Sequence, residues 1–191
     1  MLNQHQTIRD NIEKFNKRRP LADYLVALIG DKKKVKILDV GSGAFPTIGQ
    51  DLPGVEVEAY YCDEQDFTDF YKKYKVVPLF HIEYQDMEHL TYTDNSFDIV
   101  HCANALDHTR DALAAVKEMI RVCKPGGWIY IDCHLDQRET GHKHYWSAKQ
   151  DGTLRNGEIE FSLKDEFGFE IEFIDEGGES RYNHIIATLQ K

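Results

Sequence analysis

The sequence alternates between short apolar runs of strand length and segments with helical periodicity. The runs that read as strands lie at 34–40, 55–62, 78–84, 97–103 and 127–133. Between about residues 109 and 122, apolar side chains recur at spacings of three and four, which predicts a helix that ends before "KPGG". Such alternation is typical of βαβ units, so we predict a doubly wound, mainly parallel sheet of an α/β protein.

The two ends of the chain complete this prediction. Residues 169–178 and 182–191 read as an antiparallel C-terminal hairpin, which would bring a Rossmann-like sheet to seven strands. Residues 21–30 predict a helix ending at Gly30, whereas 136–157 show no clear period and are predicted to be a loop or a short helix. We expect a single domain at 34–191 after an N-terminal helical segment at 1–33.

Charge and composition exclude several classes of function. The chain of 191 residues has 23 Lys and Arg against 33 Asp and Glu, a net charge of -10, which disfavours nucleic acid as a partner. No run approaches the roughly 18 apolar residues of a membrane span, so we expect no membrane insertion. The four cysteines show no CxxC spacing and the N-terminus lacks the apolar core of a signal peptide. We therefore expect a cytoplasmic protein.

A glycine turn, "VGSGAFP", follows the first strand. Gly41 and Gly43 permit positive φ and a close approach of backbone to a ligand. We expect Pro46 to begin the next helix, where it has no N–H to offer, and Phe45 before it to be extended. A dinucleotide needs those N–H groups for its pyrophosphate. The turn therefore favours a ligand without phosphates.

Further blocks follow in order along the chain. They are "ILDVGSG", "YYCDE", "YQDMEHLTYTDNSFDIVHCANALDH" and "AAVKEMIRVCKPGGWIYID". Over residues 34–133 the chain resembles the class I S-adenosylmethionine-dependent methyltransferases, most closely their small-molecule branch. The resemblance implies S-adenosylmethionine as cofactor, S-adenosylhomocysteine as product and a small-molecule acceptor such as a sugar or another metabolite. Phe45 stands where the family commonly has a third glycine.

The same resemblance implies a set of cofactor-binding residues. Asp39, Gly41 and Gly43 would line the methionine portion, with Asn104 beneath the methionine end. Asp63 would accept hydrogen bonds from both ribose hydroxyls, and Glu64 would border the adenine. Asp86 and Met87 would meet the adenine edge through a carboxylate and a backbone N–H.

One histidine is a candidate catalytic residue. His108 follows the fourth strand on the ligand side, and histidine can act as a base near neutral pH, so we expect it to deprotonate a hydroxyl acceptor. We predict no metal site, because only His142 and His144 are close in the sequence, His134 is farther away, and no Cys or carboxylate completes a recognisable ligand set. Asp107 and Asp132 match the carboxylates of metal-dependent catechol methyltransferases only loosely.

Two alternatives stay open at this point. A nicotinamide-dependent oxidoreductase would explain Tyr145 and Lys149, which match a YxxxK pattern, although the TGxxxGxG opening of that class is absent. A catalytically inert, methyltransferase-like binding module is the second. The identity of the acceptor and the oligomeric state are left undetermined by the sequence.

Overall fold

A computed structural model describes residues 4–135, 144–175 and 183–191. The strands in this part of the chain are β1 Lys34–Val40, β2 Glu56–Asp63, β3 Glu83–Tyr84, β4 Phe97–Ala103, β5 Cys123–His134, β6 Ser147–Ala148, β7 Thr153–Asn156, β8 Ile159–Ser162, β9 Glu170–Ile174 and β10 His184–Gln190. The helices are α1 Gln4–Phe15, α2 Asp23–Ile29, α3 Thr68–Tyr74, α4 Ala112–Val122 and α5 Leu163–Phe167, with a 3₁₀ turn at Leu106–His108.

The main sheet has seven strands in the order β3-β2-β1-β4-β5-β10-β9. Strands β1 to β5 pair in parallel, and β10 runs antiparallel to both β5 and β9. The predicted fold class is therefore confirmed, including the antiparallel hairpin, of which residues 176–178 and 182 lie outside the described part. The strand order reverses between β1 and β4, where α/β sheets bind ligands.

Alternating side chains of the central strands bury both faces of the sheet. On β4, Val100 joins an apolar cluster with Val116 and Met119 of α4. Its neighbour Ile99 joins a second cluster with Leu25 and Ile29 of α2. This period of two follows from strand geometry, since successive side chains point to opposite faces. A strand that is buried on both faces reads as a continuous apolar run, and the predicted bounds of β1 and β4 agree with the structure.

The predicted helix starting at Pro46 is wrong. Residues 44–50 form an irregular loop, and the segment before α2 forms backbone hydrogen bonds with the end of this loop and with Asp51. Leu21 N donates to Asp51 O at 2.8 Å, and Ala22 N donates to Ile48 O at 2.7 Å. A Cβ at Gly49 would lie 1.9 Å from Pro20 O, so only glycine permits this close approach.

The third predicted strand is mostly irregular. Only Glu83 and Tyr84 pair with β2, opposite Cys62 and Asp63. Pro78 has no N–H for a sheet ladder, and the N–H of Leu79 donates instead to Asn16 Oδ1 at 2.7 Å. The apolar residues of this segment thus contribute to the core without forming a strand, since Phe80 and Ile82 pack against the second cluster.

Residues 144–162 contain a feature that the sequence analysis missed. The prediction of a loop or short helix at 136–157 is wrong for its described part, where β6 and β7 form an antiparallel three-stranded sheet with β8; residues 136–143 lie outside that part. Trp146, Leu154 and Phe161 are buried and belong to the cluster that includes Val100. The small sheet therefore shares the core of the main sheet.

Strand β5 begins earlier than predicted. Cys123 already pairs with Phe97, and the register shifts before Ile99 pairs with Trp128, so the "KPGG" segment is a bulge within the strand. As for membranes, none of the helices in the described ranges has the length and apolar character to span a bilayer.

Candidate functional site

The glycine turn leaves β1 at the point where the strand order reverses. Gly41 has φ +71° and Gly43 has φ +66°, a region that other residues rarely adopt. A Cβ on Gly41 would lie 2.3 Å from the Cβ of Ala105. The chain after β4 thus packs directly on the turn, and only glycine fits at position 41.

Asp63 ends β2 and holds the turn in place. Its Oδ2 accepts a hydrogen bond from Gly43 N at 2.9 Å, and its Oδ1 accepts one from Gln65 N at 2.9 Å. The residue is 8% exposed. Burial raises the pKa of the Asp63 carboxyl, and the two backbone N–H groups oppose that rise. A carboxylate with remaining acceptor capacity therefore lies at the edge of a cavity.

That cavity has a volume of about 180 Å³ and lies at the carboxyl ends of β1, β2 and β4. It is lined by Gly41, Gly43, Asp63, Glu64, Gln65, Met87, Asn104, Ala105, His108 and Thr109. Gln65 also lines a neighbouring cleft of about 480 Å³. Small-molecule sites usually measure about 300 to 1,000 Å³. Gln65 therefore borders both the cavity and the cleft.

The structure brings most of the predicted site residues together in this cavity. Gly41, Gly43 and Asp63 line it from β1 and β2, together with Glu64, Met87, Asn104 and His108. Asn104 has φ +51°, and its N–H donates to Asp132 O at 2.8 Å.

Asp39 and Asp86 lie outside the cavity lining. Asp39 is 3% exposed, and its Oδ1 contacts His101 Nδ1 at 2.7 Å, while His101 Nε2 contacts Tyr24 Oη at 3.0 Å. Asp86 is exposed, and its Oδ1 accepts a hydrogen bond from Glu88 N at 2.8 Å. The first residue thus supports the sheet beneath the turn, and the second caps a turn beside Met87.

Sequence reasoning missed the surroundings of His108. Asp107 Oδ1 lies 4.0 Å from His108 Nε2, and Asp107 Oδ2 contacts His144 Nδ1. The rings of His108 and His144 lie 4.3 Å apart between centroids. His144 follows Asp107 by 37 positions in the chain, so no local spacing could have indicated the cluster.

The other residues that the sequence analysis considered and discounted as metal ligands are elsewhere. Asp132 Oδ1 contacts His184 Nδ1 at 2.7 Å, and His134 lies beside His184 with ring centroids 5.9 Å apart. His142 lies outside the described residues. The histidines considered in the sequence analysis therefore do not form one group among the residues that are described.

Comparison with known proteins agrees with this architecture. Residues 38–131 match the family described as methyltransferase domain. A sterol 24-C-methyltransferase of Yarrowia lipolytica is 28% identical over 174 residues, which covers 78% of this chain and 43% of that protein. A ubiquinone/menaquinone biosynthesis C-methyltransferase of Idiomarina loihiensis is 26% identical over 131 residues, which covers 65% and 52%. The chain thus spans about half the length, or less, of these relatives.

A solved structure has a similar fold over nearly the whole chain. A methyltransferase from Aquifex aeolicus that depends on S-adenosylmethionine superposes with a TM-score of 0.51 at 15% identity, covering 98% of this chain and 99% of that one. The family match begins inside β1 and ends inside β5, across the strands whose ends line the cavity. Residues 38–131 thus match a methyltransferase domain, and the chain has the fold of the class I S-adenosylmethionine-dependent methyltransferases.

Proposed function

We propose that the protein transfers a methyl group from S-adenosylmethionine to a small-molecule acceptor. The observation that carries this proposal is the loop after Gly43. A nicotinamide dinucleotide needs the N-terminus of a helix for its pyrophosphate, and residues 44–50 have no helix. S-adenosylmethionine carries no phosphate and needs only a glycine turn and a ribose acceptor, both of which line the cavity.

The lining residues suggest a role for each part of the cofactor. Asp63 would accept hydrogen bonds from the ribose hydroxyls, while Glu64 and Met87 would border the adenine. Gly41, Gly43 and Asn104 would surround the methionine portion. We propose that Asp39 acts indirectly by supporting β1 through His101, because its carboxylate is already paired. For Asp86 we propose that the backbone beside Met87, rather than the exposed carboxylate, meets the adenine.

The acceptor would approach from the side of His108, which follows β4. The two relatives are named for C-methylation, one of sterols and one in ubiquinone/menaquinone biosynthesis, and these names support a small-molecule acceptor. The sulfonium already makes the methyl group electrophilic, so the chain's own task is to orient the nucleophile in line with it and exclude water. All four cysteines are buried free thiols, which supports the predicted reducing, cytoplasmic setting.

Binding of S-adenosylhomocysteine tests the cofactor assignment. We expect the wild-type protein to bind S-adenosylhomocysteine and not to bind NAD. Asp63→Ala should weaken binding about tenfold to a hundredfold, because two hydrogen bonds to a carboxylate are together worth on the order of 1.5 to 3 kcal/mol. Titration calorimetry measures the binding of both ligands and the affinity of the variant. Asp69→Ala is the matched control, since the Asp69 side chain is 98% exposed on α3.

Equal binding by wild type and Asp63→Ala would refute the ribose assignment. Preference for NAD would favour the oxidoreductase alternative. A screen with methyl-labelled cofactor and candidate acceptors separates an active enzyme from an inert binding module, since only the enzyme transfers the label.

A further inference from the structure

Three side chains with metal-ligating atoms converge at the edge of the cofactor cavity. Asp107, His108 and His144 each present one such atom, and these atoms all lie within 4.8 Å of one another. Two imidazoles and one carboxylate are a common ligand set for divalent transition metals, for which bond lengths are about 2.0 to 2.2 Å. Asp107 Oδ1 and His108 Nε2 stand 4.0 Å apart, so a small ring rotation would bring both onto one ion.

The carboxylate of this cluster has an unusual environment. Asp107 is 3% exposed, and its Oδ1 is buried without a hydrogen bond from any residue that the structure describes. Burying an unpaired carboxylate oxygen is costly, and buried polar atoms normally have a partner. A cation between Asp107 and the two histidines would supply that partner.

Backbone hydrogen bonds hold the three residues together. The carbonyl of Asp107 accepts from Tyr145 N at 2.8 Å and from Trp146 N at 3.1 Å, which fixes the segment after His144 against the 3₁₀ turn. The N–H of His108 donates to Ala105 O at 3.0 Å. The ligand set is thus built on backbone that is already ordered, as a metal site requires.

The cluster faces the cofactor cavity. His108 lines the cavity beside Asn104 and Thr109, and its side chain is 36% exposed, whereas those of Asp107 and His144 are 4% exposed. Three protein ligands leave at least one coordination position open, which is typical of catalytic rather than structural metal sites. The open position would lie on the His108 side, toward the cavity.

We propose that Asp107, His108 and His144 bind a divalent transition metal ion of the zinc or iron class, which holds the oxygen of a hydroxyl acceptor. The identity of the acceptor rests on the proposed function; the metal site itself does not. The ion lowers the pKa of the bound hydroxyl, whose proton passes to solvent. The oxygen then forms a bond to the methyl carbon while the carbon–sulfur bond breaks, and its electron pair stays on sulfur as the thioether of S-adenosylhomocysteine.

The rival reading is a dyad without a metal. Asp107 Oδ2 already contacts His144 Nδ1, and this pair could simply orient the imidazole. The two readings differ in one measurable property, because a hydrogen-bonded dyad has no specific affinity for metal ions.

A second group with ligand atoms serves as an internal control. Asp86, Glu88 and His89 also lie close together, but the side chains of His89 and Asp86 are 81% and 51% exposed, and one oxygen of each carboxylate already accepts from backbone. Asp86 Oδ1 accepts from Glu88 N, and Glu88 Oε1 accepts from Arg110 N at 2.7 Å and Asp111 N at 2.9 Å. We therefore expect His89→Ala to leave metal binding unchanged.

The test is titration of metal-free protein with two ions. Binding of Co²⁺ is detected by visible absorption, and binding of Zn²⁺ is measured by calorimetry. Wild type and His89→Ala should bind one ion per chain, and Asp107→Asn and His144→Gln should bind it about a hundredfold more weakly. Each protein is also titrated with S-adenosylhomocysteine, and affinities within about threefold of wild type show that the variants are folded.

The outcomes separate the two proposals. Wild type that binds S-adenosylhomocysteine but neither metal ion would overturn the metal site and leave the proposed function intact. Wild type that binds metal but not S-adenosylhomocysteine would overturn the proposed function alone. Metal binding that survives in Asp107→Asn and His144→Gln would place the ion elsewhere and overturn this assignment.

Discussion

At the scale of single residues, the role that we propose for Asp63 as ribose acceptor predicts that cofactor binding depends on pH. Its pKa is raised, chiefly by burial, so it takes up a proton at a higher pH than an ordinary aspartate, whose pKa is about 3.9. A protonated carboxyl accepts ribose hydroxyls less well. We expect the affinity for S-adenosylhomocysteine to fall as pH is lowered from neutral into the acid range, and calorimetry at several pH values measures this fall.

The effect of Asp63 on stability has the opposite sign. Because the folded-state pKa lies above the unfolded value, ionised Asp63 destabilises the free protein above that pKa, and the cost is relieved as pH falls through it.

Asp63→Asn removes the titrating group and should bind the ligand weakly with little pH dependence. A variant with the wild-type pH profile would show that another group is responsible.

His108 separates binding from chemistry at the same scale. It lines the cavity on the side from which we propose that the acceptor approaches, and it lies in contact with His144, whether it acts as a base or as a metal ligand. His108→Ala should keep the affinity for S-adenosylhomocysteine within about threefold and reduce transfer to a hydroxyl acceptor by roughly 10². Single-turnover rates with labelled cofactor measure this, with His89→Ala as control. An unchanged rate would assign His108 a purely structural role.

At the scale of elements, the two glycines of the turn have different roles. Gly41 must be glycine for space as well as for conformation, whereas no heavy atom lies within 4 Å of a Cβ placed on Gly43. Gly43→Ala should therefore lower the free energy of unfolding only by the strain of a positive φ, about 1 to 2 kcal/mol. Gly41→Ala should lower the free energy of unfolding by more than this and should also weaken cofactor binding, because Ala105 must move.

Urea unfolding and calorimetry of the two variants test this difference. The wild-type loop has little room to adjust, since Gly41 N and Ser42 N both donate to Cys62 O at 2.9 and 3.1 Å. Equal losses of stability in the two variants would mean that the chain after β4 yields easily, and that the close packing on the turn is not a constraint.

The loop after the turn also explains the departure at Phe45. Its ring packs edge-on against Phe70 and Tyr71 of α3, at centroid distances of 5.8 and 5.9 Å. Tyr71 Oη donates to Ala44 O at 2.7 Å. An aromatic contact with α3 thus takes the place of the helix that commonly follows this turn, and the phenylalanine does not line the cavity.

At the scale of the whole molecule, the small sheet at 147–162 belongs to the same core as the main sheet. We propose that residues 34–191 form one domain and that the N-terminal segment at 1–33 packs on it through α2. Leu154 is fully buried in the shared cluster, so Leu154→Ala should lower the free energy of unfolding by about 2 to 5 kcal/mol. Ile159→Ala, at a residue 65% exposed on β8, should change it by less than about 0.5 kcal/mol.

Fluorescence and circular dichroism during urea unfolding check this prediction. In a Trp128→Phe background, the remaining tryptophan, Trp146, reports on the contact of the small sheet with the shared core, because it packs against Phe161 of β8 within that core. Circular dichroism reports on the whole chain. Coincident transitions are expected for one cooperative unit. An earlier fluorescence transition would show that the small sheet unfolds separately and that the domain boundary needs revision.

Local patterns were sufficient for the main sheet and for much of the site. The runs that form β1 and β4 have the length and apolar content of buried strands, and the order of strand ends then brings Gly41, Asp63 and Asn104 to one edge. The recognised family and its cofactor depend on the same local blocks, and the match over residues 38–131 agrees with them. Spacing along the chain carried this information because the turn chemistry at each strand end is local.

Tertiary contacts decided the rest. Residues 48–51 form no helix because Arg19, Leu21 and Ala22, about thirty positions earlier in the chain, exchange backbone hydrogen bonds with them. The strands at 147–162 are two to four residues long, so their pairing depends on a shared core rather than on their own periodicity. Asp107 and His144 meet only because the chain folds back over the 3₁₀ turn. Sequence determined which residue types stand at each strand end, and folding alone determined which distant side chains join them there, because such contacts leave no trace in the spacing along the chain.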